Sequence, residues 1–91
     1  DLSLINNKFS SVLISDDRPG SLLKSLNIFN DLNINLTKLE SRPILGRPWE
    51  YKFYIDYELS DSNIQHELIE RIDLVSKEFK ILGHYPKANQ E

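Results

Sequence analysis

The sequence predicts an α+β fold, a ferredoxin-like βαββαβ sandwich in which a four-stranded antiparallel sheet carries two helices on one face. Three observations predict it. Apolar residues recur at every second position in short stretches and at spacings of three and four in two longer ones. These stretches follow the order strand, helix, strand, strand, helix, strand, with crossovers long enough to hold helices. The chain has 91 residues, enough for one domain, taken as residues 1–91 with its core at about 9–86.

Phe9, Val12, Leu13 and Ile14 predict a short buried first strand. The polar run Asp16–Gly20 breaks it. Pro19 suits a first helical turn, and Leu22, Leu23, Leu26, Phe29 and Leu32 then repeat at helical spacing, predicting a helix from about Pro19 to Asn33. Asn33 is its expected stop. In the second strand, Ile34 and Leu36 are followed by Leu39, and this slip from even to odd positions predicts a bulge or a strand covered on both faces. Pro43, Gly46 and Pro48 are read as the loop that follows. Tyr51, Phe53, Ile55 and Tyr57 then alternate with Glu50, Lys52, Tyr54, Asp56 and Glu58, the strictest two-residue period in the chain and the expected central strand. Ser60 or Asp61 caps a second helix whose buried stripe is Ile64, Leu68, Ile72 and Val75, with Glu67 and Arg71 paired on its wet side. Phe79, Ile81, Gly83 and Tyr85 alternate in a last strand that Pro86 ends. The sheet face without helices is expected to be half apolar or aromatic, hence an association surface for a homodimer or higher homo-oligomer.

Composition narrows the function. Forty per cent apolar and 27% charged residues are ordinary for a globular fold, and a net charge of −3 with a pI near 5.3 argues against nucleic-acid and acidic-membrane partners. Apolar stretches are three or four residues long, far short of the roughly 20 a membrane helix needs. With no cysteine there is no disulfide, thiolate nucleophile or cysteine metal site, which fits a reducing compartment. No targeting segment is evident, and the abrupt opening reads as a piece of a longer protein or a free-standing module. His66 and His84 lie 18 residues apart without an acid or cysteine at ligand spacing, so no metal is expected. No nucleophilic serine arrangement occurs, and Asp16-Asp17 reads as a solvated pair, so no catalytic residues and no cofactor are assigned. The third strand lacks the Lys/Arg-Gly-Phe run of RNA-recognition domains, and the first loop lacks an acylphosphatase phosphate cradle.

Three segments exceed what a small sandwich needs. Asp17-Arg18-Pro19-Gly20-Ser21-Leu22 joins the first strand to the first helix. Gly20 permits close approach to the backbone, and the N–H groups of the first helical turn favour an anion such as an amino-acid carboxylate. The same residues also suit a simple tight turn with Ser21 solvating it. Glu40-Ser41-Arg42-Pro43 lies where an apolar strand pattern stops. There, Glu40 and Arg42 form an internal pair or meet a ligand or neighbouring subunit. Pro48-Trp49-Glu50-Tyr51 and Leu82-Gly83-His84-Tyr85-Pro86 complete the set, with Trp49 also readable as loop packing.

In this order the segments resemble the phenylalanine-sensing ACT domain at the C-terminal end of prephenate dehydratases, including the bifunctional chorismate mutase/prephenate dehydratases, over about Phe9 to Pro86. Glu40-Ser41-Arg42-Pro43 matches a motif of that family without substitution. Gly20-Ser21-Leu22-Leu23 stands where the family has Gly-Ala-Leu-Val, adding a hydroxyl and a methylene near the ligand. Aromatic amino acid hydroxylases share the acidic-Ser-Arg-Pro element but lack the Pro-Trp and the closing Gly-x-Tyr-Pro. The resemblance implies a regulatory domain without an active site that binds L-phenylalanine through Gly20, Ser21, Leu22, Leu23, Glu40, Ser41, Arg42 and Pro43. On this resemblance the second motif would come from a neighbouring subunit. Arg42 would hold the carboxyl side or an intersubunit acid, and carbonyls near Ser41 would take the ammonium. The implied partner is the catalytic domain of the parent chain, a lyase of phenylalanine biosynthesis in the cytoplasm, or in the plastid stroma of a plant or alga. The alternative is a dimerisation module that binds no ligand.

Overall fold

A computed structural model describes residues 7–18 and 20–86. The element order is β1 (Asn7–Asp16), α1 (Ser21–Asp31), β2 (Asn35–Ile44), β3 (Arg47–Leu59), α2 (Ser62–Val75) and β4 (Glu78–Pro86). The four strands form one antiparallel sheet, as the sequence predicts, in the order β2-β3-β1-β4.

Local chemistry sets most boundaries. Pro19, the expected first residue of α1, lies outside the described residues; α1 begins at Ser21, after Gly20. Its other end closes where expected, with Asn33 at a left-handed φ of 56°. The Asn33 N–H donates to the Asn30 carbonyl at 3.0 Å and the Ile34 N–H to the Phe29 carbonyl at 2.9 Å. This pair satisfies two carbonyls that a helix end leaves free. Asp61 caps α2, accepting from the Asn63 N–H at 2.8 Å, and Arg71 donates to Glu67 one turn away at 2.6 Å.

The core lies between the sheet and the helices. Phe9 and Leu13 of β1, Phe53, Ile55 and Tyr57 of β3, Ile28 and Phe29 of α1, and Leu68 and Ile72 of α2 are all buried. The Phe9 ring stacks on Tyr57 at 5.2 Å, and Phe29 meets Tyr57 edge-on at 5.4 Å, both favourable ring geometries. Burial pushes the Tyr57 phenol up to about 12, while its hydroxyl donates to Gln65 at 2.9 Å.

Two bulges re-phase the outer strands. The pairing of β2 with β3 shifts between Leu36 and Lys38, so Leu36 and Leu39 share the helix side, as the slip in the sequence predicts. In β4 the shift falls around Leu82, which sequence alternation did not reveal. It opposes Gly83 to Ser10 and turns His84 onto Phe9, ring centroids 4.4 Å apart. The last strand therefore does not keep Phe79, Ile81, Gly83 and Tyr85 on one face.

Further expectations need correction. Pro43 and Pro48 are strand residues, because Ile44 pairs with Arg47 across a tight Leu45-Gly46 turn. Pro43 is tolerated there because β2 is an edge strand. Gly46, at φ 81°, supplies the positive angle that this turn demands. In the helix stripes, Leu23 is 60% exposed and Val75 is 37% exposed. The helix-free face is largely charged: Lys38, Glu40 and Arg42 of β2 lie beside Lys52, Tyr54 and Asp56 of β3, with Lys80 and Glu78 on β4. The aromatic alternation of β3 points to the helices instead, leaving Val12 as the buried apolar residue between Tyr54 and Lys80.

Candidate functional site

The first candidate segment is a built turn. Asp16, the last residue of β1, accepts the Arg18 N–H at 3.2 Å and the Ser21 hydroxyl on one carboxylate oxygen. Its other oxygen accepts the Arg18 guanidinium at 3.2 Å through Nε and 2.8 Å through Nη2. The Arg18 guanidinium and the Ser21 hydroxyl hold the Asp16 carboxyl well below the usual carboxylate range. Asp17 donates its N–H to the Trp49 carbonyl at 3.0 Å, which ties this turn to the Pro-Trp segment.

Gly20 follows at φ 86°, with nothing among the described residues within 4 Å of where a Cβ would stand. Among the described residues no side chain caps α1. The Ser21 N–H donates to the Arg18 carbonyl at 3.1 Å, so the Leu22 and Leu23 N–H groups are the donors that this helix start offers an anion. Ser21 is partly buried, and Leu22 packs against the core while Leu23 is exposed. A surface hollow of about 350 Å³ lies beside this turn, lined by Asp16, Arg18, Ser21, Lys24, Leu74 and Val75.

The second segment occupies the end of edge strand β2. Its residues alternate, so Glu40 and Arg42 lie on the helix-free face while Ser41 and Pro43 oppose Phe53 and Tyr51 on the helix side. Arg42 Nε donates to Glu40 at 2.7 Å and Nη2 forms an ion pair with the same carboxylate, while Lys38 lies 3.6 Å away. Arg42 therefore draws the Glu40 carboxyl below its ordinary value. The internal pair suggested by the sequence is present.

The two segments lie at the same end of the sheet, yet they do not meet. Strand β3 runs between them, with Pro43 opposite Tyr51 and Tyr51 opposite Ser15. Two strand spacings amount to roughly 10 Å. Among the described residues no hydrogen bond or ion pair joins Gly20–Leu23 to Glu40–Pro43.

The Pro-Trp segment forms an irregularity in β3. Pro43 pairs with Tyr51 and Ile44 with Arg47, leaving Pro48, Trp49 and Glu50 without partners on β2. Such a bulge re-aims side chains, and Trp49 is 56% exposed here. Gly83 has a packing role: a Cβ there would stand 2.6 Å from the Tyr85 hydroxyl, so the Gly-x-Tyr spacing lets the ring lie against the strand.

Sequence reasoning missed two residues. The sequence reads Asp16 as solvated, whereas in the structure it gathers the turn. Glu50 is a nearly buried carboxylate between Arg47 at 3.4 Å and Lys77 at 3.3 Å. A carboxylate inside an alternating strand flanked by cations was its only signal. Among the described residues no group of three side chains is placed to hold a metal, and no helix is long and apolar enough to cross a membrane.

No protein-family model matches the chain. Individual relatives do. A bifunctional chorismate mutase/prephenate dehydratase of Aquifex aeolicus is 38% identical over 96 residues, covering 97% of this chain and 25% of its own length. The chain thus spans about a quarter of the length of the curated relatives it matches. Among solved structures, a prephenate dehydratase from Arthrobacter aurescens in complex with L-Phe is 31% identical, with a TM-score of 0.75 over 93% of this chain and 28% of that one. The ACT domain from a GTP pyrophosphokinase of Chlorobium tepidum shares the fold alone, at 8% identity and a TM-score of 0.70 over 85% of this chain and 99% of that one. The chain belongs to the prephenate dehydratase family as its ACT domain, corresponding to a C-terminal portion of those enzymes and not to their catalytic domain.

Proposed function

We propose that this domain binds L-phenylalanine between two copies of itself and feedback-inhibits the dehydratase active site of its parent chain. The observation that carries the reading is the separation of the two motifs. Gly20–Leu23 opens outward at a helix start and Glu40–Pro43 lies on an edge strand, so a second copy can supply what the first lacks. The L-Phe complex of the Arthrobacter aurescens enzyme supports the choice of ligand. The Leu22 and Leu23 N–H groups and Gly20 receive the carboxylate, exposed Leu23 contacts the ring, and Glu40–Pro43 of the other copy closes the site. Inhibition follows if phenylalanine binds one paired arrangement more tightly, a coupling of about 1 to 3 kcal/mol that the attached catalytic domains feel. We place the parent enzyme in the cytoplasm.

Calorimetric titration of L-phenylalanine into the chain tests this reading. Saturable heat with micromolar to millimolar affinity, roughly −4 to −8 kcal/mol, and little response to the D-isomer is expected. Tyrosine should bind more weakly, because an unpaired buried hydroxyl costs about 1 to 3 kcal/mol. Equal binding of the two amino acids would sink the apolar ring pocket. The dimerisation-only reading draws on exposed Leu39 and Tyr51 at the β2 edge and on exposed Leu23 at the start of α1, and it predicts a stable dimer with no heat at millimolar ligand.

A further inference from the structure

We propose that Asp16 is a positioning residue for the first ligand motif: its carboxylate holds the turn around Gly20 in the shape that meets the ligand. This inference rests on the phenylalanine-binding reading. One carboxylate gathers donors from both sides of Gly20, the Arg18 N–H and guanidinium before it and the Ser21 hydroxyl after it. A surface ion pair alone would be a weak constraint. Here the same group also fixes a backbone N–H and the first residue of α1, with the Asp16 side chain only 20% exposed against 81% for Arg18.

Two consequences follow from the geometry. The Ser21 hydroxyl, which stands where the dehydratase motif has alanine, is turned onto Asp16. It is therefore committed to the turn and contributes no ligand contact. Arg18 is likewise held against Asp16, so its cation balances the Asp16 charge at the mouth of the site. An incoming amino-acid carboxylate meets a neutralised pair and a fixed set of N–H donors. Fixing the binding conformation beforehand lowers the ordering cost of binding.

The test compares the unaltered chain with Asp16→Asn, Ser21→Ala and the double variant. It uses L-phenylalanine calorimetry, sedimentation and ligand-free amide hydrogen exchange at Arg18, Ser21 and Leu22. Asp16→Asn is expected to weaken L-phenylalanine binding about tenfold and Ser21→Ala a few-fold, with the double variant close to Asp16→Asn because both remove one contact. Oligomeric state should hold, and exchange at Ser21 and Arg18 should accelerate without ligand, a readout independent of binding. Unchanged or tighter binding by Asp16→Asn, with the unaltered chain binding normally, overturns the positioning role and makes Asp16 a mere electrostatic opponent of the ligand. Absence of binding by the unaltered chain overturns the functional reading and this inference with it. Unchanged exchange in Asp16→Asn overturns the claim that its carboxylate holds the turn.

Discussion

The two proposed ligand motifs are built in opposite ways. The turn from Asp16 to Leu23 is organised within one chain: a carboxylate with four donors, a backbone link to Trp49 and a glycine at positive φ fix it. Glu40–Pro43 is an exposed stretch of edge strand whose charged residues bond mainly to one another. The difference teaches that matching a motif does not reveal what holds it. One motif carries its own scaffold, whereas the other has its shape from strand pairing and its meaning from what comes alongside.

That contrast yields graded expectations. The largest effects fall on ligand binding. Gly20→Ala and Arg42→Ala should each weaken L-phenylalanine by more than about tenfold, or roughly 1.4 kcal/mol, measured by calorimetry. Their effects on folding should differ. Gly20→Ala forces a side chain into a left-handed backbone at about 1 to 2 kcal/mol, while the exposed Arg42–Glu40 pair is screened by solvent and contributes little to folding. Equal destabilisation in urea melts would erase the distinction between a scaffolded and an unscaffolded motif. Next in size is Glu50→Gln, which strips a nearly buried carboxylate from Arg47 and Lys77. A cost of about 2 kcal/mol is expected, and an unchanged melting midpoint would show that the bulge does not depend on this pair.

Acid should act more gently. The Asp16 and Glu40 carboxyls are both held below their ordinary values of 3.8 and 4.5. A depressed folded-state value contributes stability that is present above the unfolded value and lost as pH falls through the folded one. Stability should therefore be level near neutrality and decline as pH drops below about 4.5, with Asp16→Asn flattening the lower part of that decline. The smallest effect is a gain. Ser25 is fully buried on α1, and among the described residues its hydroxyl has no hydrogen-bond partner. Ser25→Ala should raise stability by about 0.5 to 1 kcal/mol, read as a higher melting temperature.

Much of the fold was legible because its signals are local. Period-two alternation in Tyr51–Tyr57 marked the central strand, Asn33 and Asp61 marked helix ends, and the Leu36-to-Leu39 slip marked a bulge. The misreadings came from register, which depends on partner strands. The shift at Leu82 reversed the facing of Gly83 and Tyr85, and pairing of Ile44 with Arg47 absorbed Pro43 and Pro48 into strands. Facing also decided the open sheet face, because one parity choice sent Tyr51, Phe53 and Tyr57 toward the helices and left only Tyr54 of that stretch's aromatic residues on the open side. The candidate site was legible chiefly through resemblance. No pattern in the sequence shows that Glu40–Pro43 lies a strand away from the Gly20 turn, nor that Asp16 reaches five residues ahead to Ser21.

The central claim is that the site is shared between copies, and mixing Gly20→Ala with Arg42→Ala chains tests it most directly. Each variant alone should bind little L-phenylalanine. In a mixed dimer, the intact turn of the Arg42→Ala copy faces the intact strand of the Gly20→Ala copy, while the reciprocal site carries both lesions. Random exchange makes half the dimers mixed, so calorimetry should recover about a quarter of the original sites at near-original affinity. Exchange confirmed by sedimentation with no recovered site would contradict the shared site and place binding within a single chain.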